Sequence, residues 1–169
     1  IDVALQGTAV GKIGGADDFE AGSTHEVEVG DSTSLDITST HTVSAWIIPE
    51  SLPSPAFQGI AVKYAAGPGG YYIQTTGSNF VTFGVSSDCT TSAAGMVVGT
   101  SYLVTGVFDD AANIITNYVN GSAFASTGSC APAESPFAHD SSLFFGATNP
   151  TTDPYDGIID EVRISATAR

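Results

Sequence analysis

Few residues in this chain of 169 have the type and spacing to do chemistry. Glu26 and Glu28 alternate with Val27 and Val29, so an extended backbone sends both carboxylates to one side. Paired carboxylates are the tools of glycoside cleavage, but these two flank valines that want the opposite, buried face. They read as the solvated face of a strand. Serine, histidine and aspartate all occur, yet His25, His41 and His139 have no Gly-x-Ser-x-Gly nucleophile turn near them. The residues therefore read as non-catalytic. Cys89 and Cys130 are too few for a four-cysteine zinc site and do not form a C-x-x-C redox pair. A disulfide is the reading taken, with two unpaired buried thiols as the alternative. Closing their 41-residue separation is worth about 4 kcal/mol in the chain-entropy model. Asn120-Gly121-Ser122 has the form of a glycan acceptor, although the same residues spell a tight turn.

The elements that must position these groups are strands. Lys and Arg number 4 against 18 Asp and Glu, a net charge of −14 that repels nucleic acid and anionic lipid surfaces. Hydrophobic residues make up 42% and charged residues 13%, which excludes a disordered acidic tail. No apolar run approaches the length of a membrane span. The chain opens at Ile1 with no basic-then-apolar segment, so any secretory leader lies outside this sequence. Polarity comes from Ser, Thr, Asn and Gly, and β-branched and aromatic residues sit between Gly-rich turns. This composition predicts an all-β domain that works outside the cell, secreted or on the cell surface, where a disulfide persists.

Strand signals recur at close spacing. They cover residues 25–29, 42–48, 59–64, 71–76, 79–86, 102–108, 113–119, 142–147 and 157–165, with Asn120-Gly121 as a two-residue hairpin turn. Between ten and thirteen short strands with no helix-period segment predict two antiparallel sheets packed face to face. Gly11 to Gly15 is the one compositional break, separating an N-terminal arm at 1–15 from a body at 16–169.

Several runs carry a resemblance. They are Phe19-Glu20-Ala21-Gly22, Glu26-Val27-Glu28-Val29, Ser34-Leu35-Asp36-Ile37-Thr38 and Thr42-Val43-Ser44-Ala45-Trp46. Downstream follow Ile60-Ala61-Val62-Lys63-Tyr64, Gly70-Tyr71-Tyr72, Tyr118-Val119-Asn120-Gly121 and the closing run from Asp156 to Ser165. In this order and spacing the chain resembles the bacterial laminin-G-like group of concanavalin A-like jelly rolls, from about residue 16 to 169. The resemblance implies an antiparallel two-sheet β-sandwich. Relatives that cleave glycans carry a Glu-x-Asp-x-(x)-Glu strand, which this sequence lacks. The resemblance also implies a structural calcium ion near Asp160, with ligands from the Phe-Asp-Gly region. Glu20 replaces that aspartate here, and Asp17 and Asp18 precede it. Acidic turns can supply the six to eight oxygens calcium takes. The alternative is that Asp160 accepts hydrogen bonds from loop amides or pairs with Arg163. Tyr71, Tyr72, Tyr155 and Phe57, if exposed in loops, could stack on sugar rings; packing at sheet edges is the alternative.

The arm alternates Ile1, Val3 and Leu5 against Asp2, Ala4 and Gln6, and runs to Val10 before the glycines. It reads as a one-sided strand on a Gly hinge. It either forms the first edge strand of its own sandwich or adds to a sheet edge of another copy. The second reading leads to a secreted, self-assembling fibre or cell-surface subunit whose partners are copies of itself. The competing expectation is a carbohydrate-binding, lectin-like adhesion module whose partners are glycans, and it rests on fold analogy.

Overall fold

The computed structural model describes residues 2–4, 7–52, 57–64, 69–77, 79–86, 89–93, 95–125, 138–150 and 152–169. For residues 2–4, 7, 89–93, 124 and 125 it describes the backbone. Fourteen strands fall in these residues: β1 (Asp2–Ala4), β2 (Gly7–Val10), β3 (Gly15–Phe19), β4 (Glu26–Val29), β5 (His41–Pro49), β6 (Phe57–Lys63), β7 (Tyr71–Thr76), β8 (Phe80–Val85), β9 (Cys89–Ala93), β10 (Tyr102–Asp109), β11 (Ile114–Val119), β12 (Ser122–Ala125), β13 (Leu143–Phe145) and β14 (Gly157–Ser165). They form two seven-stranded sheets, β1-β4-β13-β6-β7-β8-β9 and β12-β11-β10-β5-β14-β3-β2. Their pairings are antiparallel throughout, from β1 on β4 to β14 on β5. The expected two-sheet jelly roll is what forms.

The period-2 pattern explains the layering. In β5, Val43, Ala45 and Ile47 point inward and are fully buried, while Ser44, Trp46 and Ile48 face outward. They meet Tyr71, Ile73, Phe83 and Val85 from the opposite sheet, with Val104, Phe108 and Ile115 completing the core. Gly106 makes room for one of these rings, since a Cβ there would lie 2.1 Å from the Phe83 ring. Asn117, fully buried, ties the layers by donating from Nδ2 to the Val81 carbonyl at 2.8 Å. The Asn120-Gly121 hairpin joins β11 to β12 as expected. Both residues take positive φ, 50° and 79°, the conformation a two-residue turn demands.

The N-terminal residues depart from the picture of a swinging arm. Asp2–Ala4 pair with Glu26–Glu28 of β4, and Gly7–Val10 pair with Gly15–Asp18 of β3, so one stretch supplies an edge strand to each sheet of its own chain. The Gly-rich segment is a closed turn, with the Gly11 amide donating to the Gly14 carbonyl at 3.1 Å. The same one-sided pattern serves a strand in cis or in trans, and the backbone of Asp2–Ala4 and Gly7–Val10 pairs in cis. Val10 is 85% exposed. Ile1 and Leu5 lie outside the described residues, as does the side chain of Val3. The expected Cys89–Cys130 bond also lies outside them, because Cys130 and the Cys89 side chain are not described.

Candidate functional site

The groups that could have formed a catalytic set are dispersed in structural roles. Glu28 Oε1 accepts the Ser142 hydroxyl at 2.6 Å. His25 Nδ1 accepts the Glu20 amide at 3.2 Å, and His139 Nδ1 accepts the Ser141 amide at 3.1 Å. His41 is buried among Tyr71, Phe83 and Phe108 and donates from Nδ1 to the Ser39 carbonyl at 2.7 Å. Burial holds its pKa below the ordinary histidine value.

The three expected metal ligands separate. Asp160 Oδ2 accepts the amides of Lys12 and Ile13 at 2.6 and 3.2 Å, the loop-amide alternative, and so fastens the β2–β3 turn onto the sheet. Gly11 permits that closeness, since a Cβ there would stand 2.5 Å from Asp160 Oδ2. Lys12 then reaches over the Trp46 ring, its Nζ 4.6 Å from the centroid. Asp18 and Glu20 instead converge with Glu50, a residue sequence reading did not single out. One carboxylate oxygen from each lies within 4.8 Å of the others. Register explains the split: Asp18 pairs with Ile158, two residues along β14 from Asp160. Burial together with Asp18, Glu20 and Asp156 pushes the Glu50 carboxyl above its usual range. Asp18 Oδ1 is buried with no hydrogen-bond partner. Three converging carboxylates with one orphaned oxygen fit a hard divalent cation.

A second site lies on the outer face of the other sheet. The Val62–Tyr72 pair of β6 and β7 faces outward, and Gln74 lies two residues beyond Tyr72 on the same face. With Phe57 and Tyr64 they form one wall of a cleft of about 270 Å³. Thr148, Asn149 and Asp153 form the other. That second wall is pinned at Gly59, whose amide donates to the Asp153 carbonyl at 3.0 Å. A Cβ on Gly59 would stand 2.3 Å from the backbone of Ala147, so only glycine lets the loop close on β6. Within the loop, Thr148 Oγ1 lies 3.1 Å from both the Thr152 carbonyl and Asp153 Oδ2.

The aromatic residues sort differently from the sequence expectation. Tyr71 and Tyr155 are core residues, 1% and 0% exposed, with hydroxyls that burial pushes far above the usual tyrosine pKa. Tyr72 is 8% exposed and lies against Gly84, where a Cβ would meet its ring at 2.2 Å. Burial, with Tyr64 beside it, raises its pKa to about 12, so the hydroxyl keeps its proton at neutral pH. Tyr64 packs at 5.3 Å from the Tyr72 ring. Phe57 alone of the four expected aromatics is well exposed, at 48%. Outward alternation in β6 and β7 could have revealed Tyr64 and Gln74; no sequence signal places Asn149 or Asp153 beside them.

Tyr64 is held in turn by Lys63. Its side chain is 1% exposed, and Nζ donates to Asp31 Oδ1 at 2.7 Å and to the His139 and Ser141 carbonyls at 2.7 and 2.8 Å. Asp36 Oδ1 completes the cage at 3.1 Å. The candidate glycan acceptor Asn120 sits exposed in its turn, with Oδ1 accepting the Leu103 amide at 2.9 Å.

Comparison with known proteins agrees with this architecture. The binding domain of Paraclostridial Mosquitocidal Protein 1 superposes with a TM-score of 0.77 at 12% identity, covering 100% of this chain and 44% of that one. The present chain thus spans less than half of that domain's length. Domain 4 of the extracellular arabinanase AbnA from Geobacillus stearothermophilus, solved with arabinotriose, gives 0.66 at 22% identity, covering 98% and 77%. The CBM40 domain of the Ruminococcus gnavus IT-sialidase, bound to α2,3-sialyllactose, gives 0.61 at 13%, covering 85% and 90%. At these identities the likeness shows the fold. Among curated proteins no sequence matches. The laminin-G family model described as the concanavalin A-like lectin/glucanases superfamily matches residues 21–169. With most of its length matched and its two sheets in place, the chain belongs to the concanavalin A-like lectin/glucanase superfamily.

Proposed function

We propose that this domain is a non-catalytic, extracellular glycan-binding module whose ligand lies in the cleft between β6–β7 and the 148–153 loop. One observation carries the reading: the cleft sets aromatic side chains beside amide and carboxylate groups that have capacity to spare. Phe57 offers an exposed ring face for a sugar ring. Among the described residues, the Gln74 and Asn149 side chains make no intramolecular hydrogen bond, and Asp153 Oδ1 is likewise uncommitted. Such groups suit hydroxyls that change direction around a ring. Neighbours of the same fold solved with arabinotriose and sialyllactose support the class of ligand. The few lysines and the Ser/Thr-rich composition support a place outside the cell. Self-assembly through the N-terminal strand is not carried into this reading, because that strand is paired in its own chain. Titration calorimetry against neutral and acidic oligosaccharides tests the proposal. Phe57→Ala and Gln74→Ala should each weaken binding about tenfold, or ~1.4 kcal/mol. Undiminished binding by both variants would remove the cleft from consideration.

A structural cation is the accompanying proposal, placed at Asp18, Glu20 and Glu50 and supported by the orphaned Asp18 oxygen. Calcium binding there would stabilise the fold by mass action. Adding calcium to chelator-treated protein should raise the melting temperature of the wild type, and Glu50→Gln should abolish the rise. An unchanged melting curve on calcium addition would leave the cluster as a solvated acidic edge.

A further inference from the structure

We infer that the cleft selects uncharged sugars and discriminates against glycans bearing a carboxylate. The inference rests on the glycan-binding reading and specifies its ligand. The chain has only four Lys and Arg residues, and each is placed elsewhere. Lys12 lies over Trp46 on the opposite sheet. Lys63 is the neighbour of Tyr64 in sequence, but its ammonium is turned into the protein and saturated by two carboxylates and two carbonyls. Arg163 belongs to β14 of the opposite sheet. Arg169 closes the chain beside Thr42 and Thr167. Among the described residues no cation therefore lines the cleft, and the charged group that does is the Asp153 carboxylate.

A sugar carboxylate entering the cleft would shed water and find no positive partner. It would approach Asp153 in the field of a chain carrying −14. A neutral sugar meets none of these costs. Its hydroxyls can donate to Asp153 Oδ1 and exchange hydrogen bonds with the Gln74 and Asn149 amides, while its apolar ring face covers Phe57. Sharing a fold with a domain bound to sialyllactose thus does not extend to sharing its ligand, because recognition is set by the side chains lining the site.

The test is calorimetry at pH 8, where an ordinary histidine is uncharged, with matched pairs of ligands. Lactose is set against α2,3-sialyllactose, and galactotriose against trigalacturonate, with arabinotriose and xylotriose as further neutral probes. At least one neutral glycan is expected to bind, with affinity unchanged between 50 and 300 mM salt in the buffer, and its acidic counterpart should bind at least tenfold more weakly. Asn149→Lys, which adds a cation at the exposed rim, should shift the acidic-to-neutral affinity ratio at least fivefold toward the acidic member. If an acidic glycan binds the wild type as tightly as its neutral counterpart or tighter, and Phe57→Ala weakens it, the selectivity is refuted while the cleft stands as a glycan site. If neither class binds at millimolar concentration, the glycan-binding reading itself fails and the selectivity falls with it.

Discussion

Replacing Lys63 by methionine keeps most of the side chain's apolar volume and removes its charge. Four oxygens lose the ammonium: the carbonyls of His139 and Ser141, Asp31 Oδ1, and Asp36 Oδ1, which keeps a long hydrogen bond from the His139 amide at 3.4 Å. They do not lose equally. The Asp31 side chain is 39% exposed and rehydrates, so it adds little. The Asp36 side chain is 14% exposed and is left with an unpaired charge near the core. The two carbonyls each lose a hydrogen bond to a charged donor. Breaking a buried ion pair from one side costs about 3–5 kcal/mol, and the three poorly solvated acceptors put Lys63→Met in that range. For a domain of this size that corresponds to a fall in melting temperature of roughly 6–20 °C. Urea unfolding is the primary assay, with an unchanged slope showing that the midpoint shift is a stability change. Asp31→Asn is the control and should move the midpoint far less. The Lys63→Met variant should also bind glycan more weakly, since the cage fixes the end of β6 from which Tyr64 enters the cleft. Equal midpoint shifts for the two variants, or a loss below about 1 kcal/mol for Lys63→Met, would refute the cage as the element that holds the 31–36 and 139–141 segments.

Other expected outcomes concern the turn, a buried histidine and the cysteines. Gly11→Ala places a methyl group against Asp160 Oδ2 and the Gly15 carbonyl, and should destabilise by about 1–3 kcal/mol with faster hydrogen exchange at the Lys12 and Ile13 amides. Unaltered exchange at those amides would mean that Asp160 does not fasten the turn. His41 is neutral when folded and its pKa is lowered by burial, so the unfolded chain takes up the proton first as pH falls below 6.5. Stability should therefore decline between pH 6.5 and the lowered folded pKa by up to about 1.4 kcal/mol per pH unit. The difference between wild type and His41→Phe isolates that slope, and identical pH profiles would contradict it. Cys89 and Cys130 should be bonded: intact mass should rise by two hydrogens on reduction, and thiol labelling of the unreduced protein at both positions would contradict the pairing.

What the sequence determined alone was everything that depends on local pattern. Alternation of Val43, Ala45 and Ile47 with Ser44, Trp46 and Ile48 could be read directly, because strand side chains repeat every two residues whatever the partner. Asn120-Gly121 announced its hairpin because few other pairs tolerate positive φ at both positions. The runs shared with the laminin-G-like group extended this to the sandwich beyond its N-terminal strands. Tertiary structure decided which residues meet. Asp18 and Asp160 lie on adjacent strands, but a register offset of two residues sent Asp18 to Glu50 and left Asp160 to bind the Lys12 and Ile13 amides. Tyr71 and Tyr72 are neighbours in sequence, and the pleat sent one into the core and the other toward the cleft. Asn149 and Asp153 joined Tyr72 only because Gly59 let a loop some ninety residues downstream close on β6. The N-terminal strand carried the same one-sided pattern for pairing within its chain or with another copy. The closed Gly11–Gly14 turn and the Asp160 carboxylate chose the first, because a pattern of apolar side chains specifies a face to bury but not whose sheet will bury it.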